Sequence, residues 1–370
     1  AASAFFLRRR GRSVVLLERG LVGQQASGVN FGNVRRQGRF LPQLPLAHRS
    51  RAVWGRMKEL LGEDAEFLAS GHVRGVYDEA NHARIEQYAA DARGWGLELE
   101  IVGRDALRRR FPFFGPEVIA GSYSPHDGHA NARREGARVI EQCEVLAVEK
   151  DGADFLAHTA DGLVVRAPAA LIRAGAWGDR LAAAFGEVVP MRAHGPSMGV
   201  TEPVPYRIEP VVGLASAVPH EVLYFRQVKR GNIVFGGGLR GPADAEARRA
   251  YALPQNLLRQ LVQLRRLAPA LARLQVLRVW SGIEGYMADE LPVMGPSARV
   301  AGLYYAFGFC GHGFQLGPGV GEVMAELIDT GTTATPIEPF HIRRFAADSA
   351  DALDAPNAPN APTPAHVLAA

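Results

Sequence analysis

The sequence is poor in the residues that would make it a disulfide scaffold, a metal centre or a membrane protein. Two cysteines in 370 residues, Cys143 and Cys310, give neither a disulfide framework nor metal-ligand spacing, so no metal is expected and a reducing cytoplasmic setting is. No run of 18 apolar residues occurs, which excludes a spanning helix, and no secretory leader is recognisable. An excess of one charge sign is also lacking. Net charge is only +4 although the pI is near 9.2, and arginine is scattered. The densest run, Arg8 to Arg10, reads as the solvated end of a helix rather than a nucleic-acid patch. Missing too is a phosphate-binding glycine loop ahead of the first helix, expected before Ala1 in a dinucleotide fold.

What is present centres on Gly302 to Ile328. Leu303 to Phe307 reads as a short buried strand, followed by a glycine-rich turn and a helix. Val320, Val323, Met324, Leu327 and Ile328 recur at helical spacing on one face, and Pro318 suits a first turn. Gly308, Gly311 and Gly313 strip side chains from the approach to a helix N-terminus, which carries partial positive charge and unpaired N–H groups. Such a turn suits a flat or anionic ligand. Its alternative reading is a tight strand–helix corner.

Earlier in the chain, a helix ending in Arg8–Gly11 leads into Ser13 to Glu18, a continuous apolar run closed by an acid, as in buried parallel strands. Gln25 to Arg39 is a polar, glycine-bearing loop with little to bury, in which Arg35, Arg36 and Arg39 either hold a phosphate or carboxylate or are solvated charges. A helix over about 44–61 follows. Residues 144–150, 154–159 and 163–167 form a three-stranded meander with Asp-Gly turns. Residues 169–175 read as another buried strand. Residues 191–239 are β-rich, with a hairpin at 222–236, and Pro254 to Leu267 is a helix packing through Leu257, Leu261 and Leu264. The Ala-, Pro- and Asn-rich segment 346–370 is expected to be disordered.

In order, SVVLLERG, QASGVNFGN, PHDGHAN, the meander, RAGAWG, HGPSMGVTEP, YFRQ with IVFGGG, RVWSGIEGYMADELPVMGP and GFCGHGFQLGP resemble one family over about 1–345. It is the D-amino-acid oxidase (DAO) superfamily of FAD-dependent oxidoreductases. Within it the chain is most similar to the branch that holds the C component of hydrogen cyanide synthase, the B component of opine oxidase and related bacterial amino-acid dehydrogenases. The resemblance implies a two-domain α/β fold: a Rossmann-like FAD domain over 1–69, 126–187 and 278–345, and an antiparallel-sheet substrate domain over 70–125 and 188–277.

The same resemblance implies FAD as cofactor, with Glu18 and Arg19 at the adenosine, Ser27, Gly28 and Asn30 along the pyrophosphate and flavin, and the Val145 backbone at the adenine. Ala174 and Gly175 would pass close to the ADP part, and Gly311, His312, Gly313 and Phe314 would face the pyrimidine edge. The substrate carboxylate would be held by Arg35, with Tyr286 and Tyr224 as hydroxyl groups at the reacting centre. His312 is expected to donate a hydrogen bond to the flavin rather than act as a base, because a helix N-terminus disfavours its cation. A hydride would leave the carbon beside nitrogen of an amino acid, opine or secondary amine, and electrons would pass to oxygen, a quinone or a partner subunit. The expected partners are that small-molecule amine and an electron acceptor, with no nucleic acid and no membrane span, and with peripheral membrane association through electron transfer left open. Cys310 reads as a small buried residue rather than a flavin linkage.

Three departures from the family stand out. The glycine loop is absent, only Ala132 to Glu135 joins Asn131 to Gly136 where relatives carry a helix, and Arg173 interrupts a buried strand. Glu284 stands near where some relatives binding simple amino acids put a carboxylate-binding arginine, which argues against plain glycine-like recognition and allows a substrate with a cationic group, such as an opine. The sequence leaves two readings open: a working flavoenzyme, or a non-catalytic remnant that binds FAD weakly. An NAD-dependent dehydrogenase fits poorly, since it has no role for the meander or the C-terminal turn.

Overall fold

A computed structural model of the chain describes residues 1–62, 65–130 and 139–345. The joining segment 132–135 and the tail 346–370 lie outside the described residues. Two compact units form, one from 1–28, 139–193 and 284–345, the other from 29–62, 65–130 and 194–283. No helix among the described residues is long and apolar enough to cross a membrane.

In the first unit, strand Leu303–Phe307 is the centre. It pairs in parallel with Ala170–Ile172 and antiparallel with Val293–Pro296. Its side chains Leu303, Tyr305 and Phe307 pack with Phe155, Ile172 and Val293. The buried Glu187 ties this sheet to its turn: Tyr305 donates to it at 2.7 Å, the Ala298 N–H donates at 2.7 Å, and Ser297 also donates. Burial, then the Glu187 carboxylate, holds the Tyr305 phenol well above its usual range. Helix Ala2–Arg9 lies on helix Gly313–Thr330, close enough that a Cβ at Gly321 would overlap Ala2.

The meander forms as read, with strands Val145–Asp151, Asp154–Thr159 and Val164–Ala167. Its first turn differs in detail. Asp151 pairs with Asp154, so the two linking residues are Gly152 and Ala153, with Gly152 at φ 58°. The apolar run 13–18 forms only a two-residue strand, Leu16–Leu17, parallel to Val139–Ile140. Its residues are half-buried, and Val15 is 46% exposed. A ladder two residues long cannot draw the rest of the run inward.

In the second unit, eight strands run in the order Val276–Ser281, Arg192–Pro203, Asn232–Asp244, Leu223–Gln227, Val211–Leu214, His72–Val76, Ala120–Ser124 and Glu100–Gly103. Neighbours are antiparallel except Val211–Leu214 with His72–Val76, which are parallel. No hairpin joins those two, so nothing forces them antiparallel. One face carries Val73, Val212, Phe225 and Phe235 onto helix Pro254–Leu267 through Leu264 and Leu267. By strand alternation, His72, Arg74, Tyr224 and Arg226 occupy the other face. The expected helix over 44–61 is two, Leu44–Gly55 and Met57–Leu61, broken at Arg56 (φ −110°).

Two histidines, His72 and His129, are buried in this unit. Arg226 Nη1 lies 3.1 Å from His129 Nδ1, and its Nε donates to the Phe31 carbonyl at 2.7 Å. An arginine always donates, so Nδ1 accepts and the proton sits on Nε2.

Leu267 is fully buried whereas Leu258 on the same helix is 63% exposed. Leu267→Ala is expected to cost about 2–5 kcal/mol, from lost transfer energy and the cavity left, and Leu258→Ala within about 0.5 kcal/mol. Urea unfolding decides this, and equal losses would place the helix wrongly. A second expectation concerns acid. Burial, then Arg226 and Lys229, lowers His129 to about 3, and burial, then Arg35 and Arg74, holds His72 well below its usual range. Unfolded, each takes a proton near pH 6.5 that the folded chain refuses. Their contribution is therefore whole above pH 6.5 and is lost as pH falls below it, by about 2 kcal/mol for His129 at pH 5. The urea midpoint should drop between pH 7 and pH 5, and His129→Gln, which keeps an acceptor for Arg226, should shrink the drop. A midpoint indifferent to pH in that window contradicts the assignment.

Candidate cofactor and substrate sites

At the end of strand Leu303–Phe307 the chain turns through three left-handed residues, Gly308 (φ 66°), Cys310 (φ 50°) and Gly311 (φ 77°). Cys310 is the unusual one, since a Cβ disfavours that region. It is held on three sides: its N–H donates to the Gly285 carbonyl at 3.1 Å, its thiol to the Gly308 carbonyl at 3.2 Å, and the Met287 N–H donates to its sulfur at 3.3 Å. It is buried, as is Cys143, and both are free thiols. A Cβ at Gly308 would crowd Met287 at 2.5 Å, so that glycine serves packing.

Gly311 faces differently. A Cβ there would meet Glu284 Oε2 at 3.4 Å and the Tyr286 hydroxyl at 3.6 Å, and that hydroxyl donates to the same carboxylate oxygen at 2.7 Å. Helix Gly313–Thr330 begins directly after His312. Pro318 therefore lies inside the helix, not in its first turn as the sequence suggests, because the helix starts on the last glycine of the turn. The first turn of a helix directs N–H groups outside its own ladder. A left-handed glycine at the start of an 18-residue helix fits a flat edge such as a flavin's.

The first unit also gathers three distant segments that the sequence assigned to one nucleotide. Glu18 follows strand Leu16–Leu17, and its Oε1 accepts the Gly20 N–H at 2.8 Å. Its carbonyl accepts the Cys143 N–H at 2.9 Å, bringing in the head of the meander. Arg19 pairs with Glu144 at 3.2 Å, beside Val145, and its guanidinium lies 4.8 Å from the Trp177 ring, three residues from Ala174. Gly175 (φ 57°) has open space where a side chain would project. Arg173, half-buried, donates to Ser3 at 3.1 Å, and burial lowers it to about 10.

Ser27 and Gly28 are exposed in the first unit, while Asn30 is half-buried in the second. A Cβ at Gly28 would overlap the Gly23 carbonyl, a local reason for that glycine.

In the second unit the segment after Asn30 is buried, contrary to its reading as a loop with little to bury. Asn33–Val34 pairs with Gly128–His129, drawing the following residues inward. Arg35 and Arg39 are 5% and 4% exposed. Arg36 takes Asp127 through Nε at 2.8 Å and its own N–H at 2.8 Å. Arg39 donates to the Arg35 carbonyl at 3.0 Å and to Gln43 at 2.9 Å, and Arg35 Nη1 donates to the Gln37 carbonyl. The Gln37 amide nitrogen lies 2.7 Å from His72 Nδ1, while its oxygen accepts from Ser122 at 2.8 Å. Tyr224 stands over Phe31, ring centroids 4.8 Å apart. Arg74, Gln37 and His72 escaped the sequence reading. The available signal was a charge inside the run HVRGV, where period-two alternation turns Arg74 away from the apolar face.

A model of the DAO family, described as FAD dependent oxidoreductase, matches residues 1–327. The chain is 27% identical over 366 residues to glycine oxidase of Geobacillus kaustophilus, covering 93% of this chain and 94% of that one. It is 27% identical over 370 residues to the B component of opine oxidase from Rhizobium meliloti, covering 94% and 95%. The crystal structure of L-proline dehydrogenase from P. horikoshii shares the fold, with TM-score 0.85 at 24% identity over 94% of this chain and 95% of that one. With the expected α/β architecture and nearly its whole described length matched, the chain belongs to the DAO family of FAD-dependent oxidoreductases.

Proposed function

We propose that the chain oxidises an amine or amino acid at the carbon beside nitrogen, with FAD as its hydride acceptor. The observation that carries this reading is the Glu284 carboxylate, fixed by Tyr286 at 2.7 Å and lying 3.4 Å from where a Gly311 side chain would begin. It puts negative charge at the glycine turn, suited to a cationic or ammonium group. Similarity to glycine oxidase and to the B component of opine oxidase supports the same donor class.

Bound FAD supplies hydride acceptance. The residues supply position and field. In this reading Gly311, His312, Gly313 and Phe314 bring the positive end of the helix dipole to the pyrimidine edge, favouring it as it gains electrons. Glu18, Arg19, Val145, Ala174 and Gly175 hold the adenosine end, and Ser27, Gly28 and Asn30 the stretch between. Arg35 binds the substrate carboxylate, and Tyr286 keeps Glu284 oriented towards the substrate's cationic group. Tyr224 offers a hydroxyl from the sheet face. Electrons leave to oxygen, a quinone or a partner subunit; similarity to the beta component of sarcosine oxidase from Rhizobium meliloti, 27% identical over 93% of this chain and 85% of that one, supports the last. The two free thiols suit a cytoplasmic setting.

The test is the visible spectrum of the purified chain, taken anaerobically before and after a panel of amines and amino acids. Flavin bands that bleach with one substrate are expected. A protein that stays colourless with added FAD would instead make the chain a non-catalytic remnant. Glu284→Gln should raise KM about tenfold for the best substrate, a charge-assisted hydrogen bond being worth about 1.5–3 kcal/mol, with kcat less affected. An activity profile confined to glycine or D-alanine would remove the cationic-group reading.

A further inference from the structure

We propose that the second unit carries a site for a zwitterionic amino acid, in a cavity lined by Arg36, Arg93, Leu97, Glu98, Pro125 and His126. None of these residues is assigned to cofactor or substrate above, so the site does not rest on the oxidase reading.

The cavity holds about 290 Å³, near the lower end for small-ligand pockets. Helix Glu79–Arg93 supplies Arg93 from its last turn, and the segment after it supplies Leu97 and Glu98. Pro125 and His126 follow strand Ala120–Ser124. The fold pins these pieces before any ligand arrives. The fully buried Asp127 accepts from Arg36 Nε at 2.8 Å, and Arg36 Nη1 lies 3.2 Å from His48 Nδ1. An arginine always donates, so His48 Nδ1 accepts, and its Nε2 donates to the Trp95 carbonyl at 3.0 Å. Burial, the largest effect, and Arg36 lower His48 below its usual range, as an accepting nitrogen requires. The turn that leads to Leu97 is thereby tied to Arg36. The His126 carbonyl is tied in the same way, accepting from Arg51 Nε at 2.6 Å.

The charges along this lining are not all matched. Arg36 is paired with Asp127. Arg93 and Glu98 are exposed, and neither side chain has a hydrogen-bond or ion-pair partner among the described residues. Between them the Leu97 N–H donates to the Ala92 carbonyl at 3.0 Å, which closes the helix end and sets the turn. One cation and one anion thus line a single cavity without closing on each other. A carboxylate ligand would suit Arg93 but meet Glu98 with like charge, and an amine would do the reverse. An amino acid offsets both: its carboxylate suits the fork of Arg93, and its ammonium suits Glu98. Leu97 and Pro125 add apolar surface for its carbon atoms.

The test is calorimetric titration of the full chain with three probes of one shape: 2-aminoisobutyrate, pivalate and tert-butylammonium. None carries hydrogen on a carbon beside nitrogen, so turnover does not intrude. 2-Aminoisobutyrate should bind at least about tenfold more tightly than either singly charged probe, the worth of one added charge-assisted contact. Glu98→Gln should bring it within about twofold of pivalate, and Arg93→Met within about twofold of tert-butylammonium. Both positions are exposed, and an unchanged urea midpoint checks that the variants fold. The three probes on the unmutated chain decide without any variant: equal binding of all, or binding of none, overturns the site. An affinity for 2-aminoisobutyrate that neither variant weakens puts the ligand elsewhere and overturns it too. Pivalate bound most tightly overturns the zwitterion and leaves an anion cleft. A flavin that never bleaches with any amine leaves this site standing, and a lost probe preference leaves the oxidase reading standing.

Discussion

Burying positive charge is the constraint to which much of the second unit answers. Five arginines, 35, 36, 39, 74 and 226, enter its interior or edge, and Asp127 is its one buried carboxylate among the described residues. Around them the chain places neutral polar groups: the carbonyls of Arg35 and Gln37, the amides of Gln37 and Gln43, and Ser122. His72 is held well below its usual range by burial and by Arg35 and Arg74. The sheet can host this only because its two faces are segregated. Val73, Val212, Phe225 and Phe235 take the helix-covered side, leaving alternate positions to polar residues.

The first unit instead exposes backbone at its glycine turn. Its central strand is pinned by a buried carboxylate, Glu187, that accepts from Tyr305, Ser297 and the Ala298 N–H. The strand therefore ends at a fixed place. From there the chain passes through three left-handed residues, and Cys310 tolerates the steric cost of the middle one because its thiol, N–H and sulfur all find partners. A larger residue with the same φ would lose the two bonds made by the sulfur. Cys310 is thus structural, which accounts for a thiol in a sequence otherwise almost free of them.

How much of this was legible in the sequence follows from the range of each interaction. The meander, helix Pro254–Leu267 and the strand at Leu303–Phe307 are written in short-range periodicity, and each formed close to where it was read. The break at Arg56 and the early start of the last helix lie at boundaries, where local signals compete nearly evenly. The segment Gln25 to Arg39 misled because its composition is polar and its burial is tertiary. Nothing within it reveals that Val34 pairs with Gly128, which is what carries Arg35 inside. Arg74 was silent for the same reason: a charge in a short strand reads as solvent-facing until the second face is covered.

The Asp127–Arg36 pair argues that the arrangement is specific. A buried ion pair is a weak source of net stability, since desolvation offsets most of its attraction, but breaking one partner is expensive. Here Asp127 also accepts the Arg36 and Gln37 N–H groups at 2.8 and 3.4 Å. It therefore shapes the backbone leading to Gly38, the residue against which Arg35 and Arg74 meet. By sitting on Arg36, it orders the segment on which Gly38 lies.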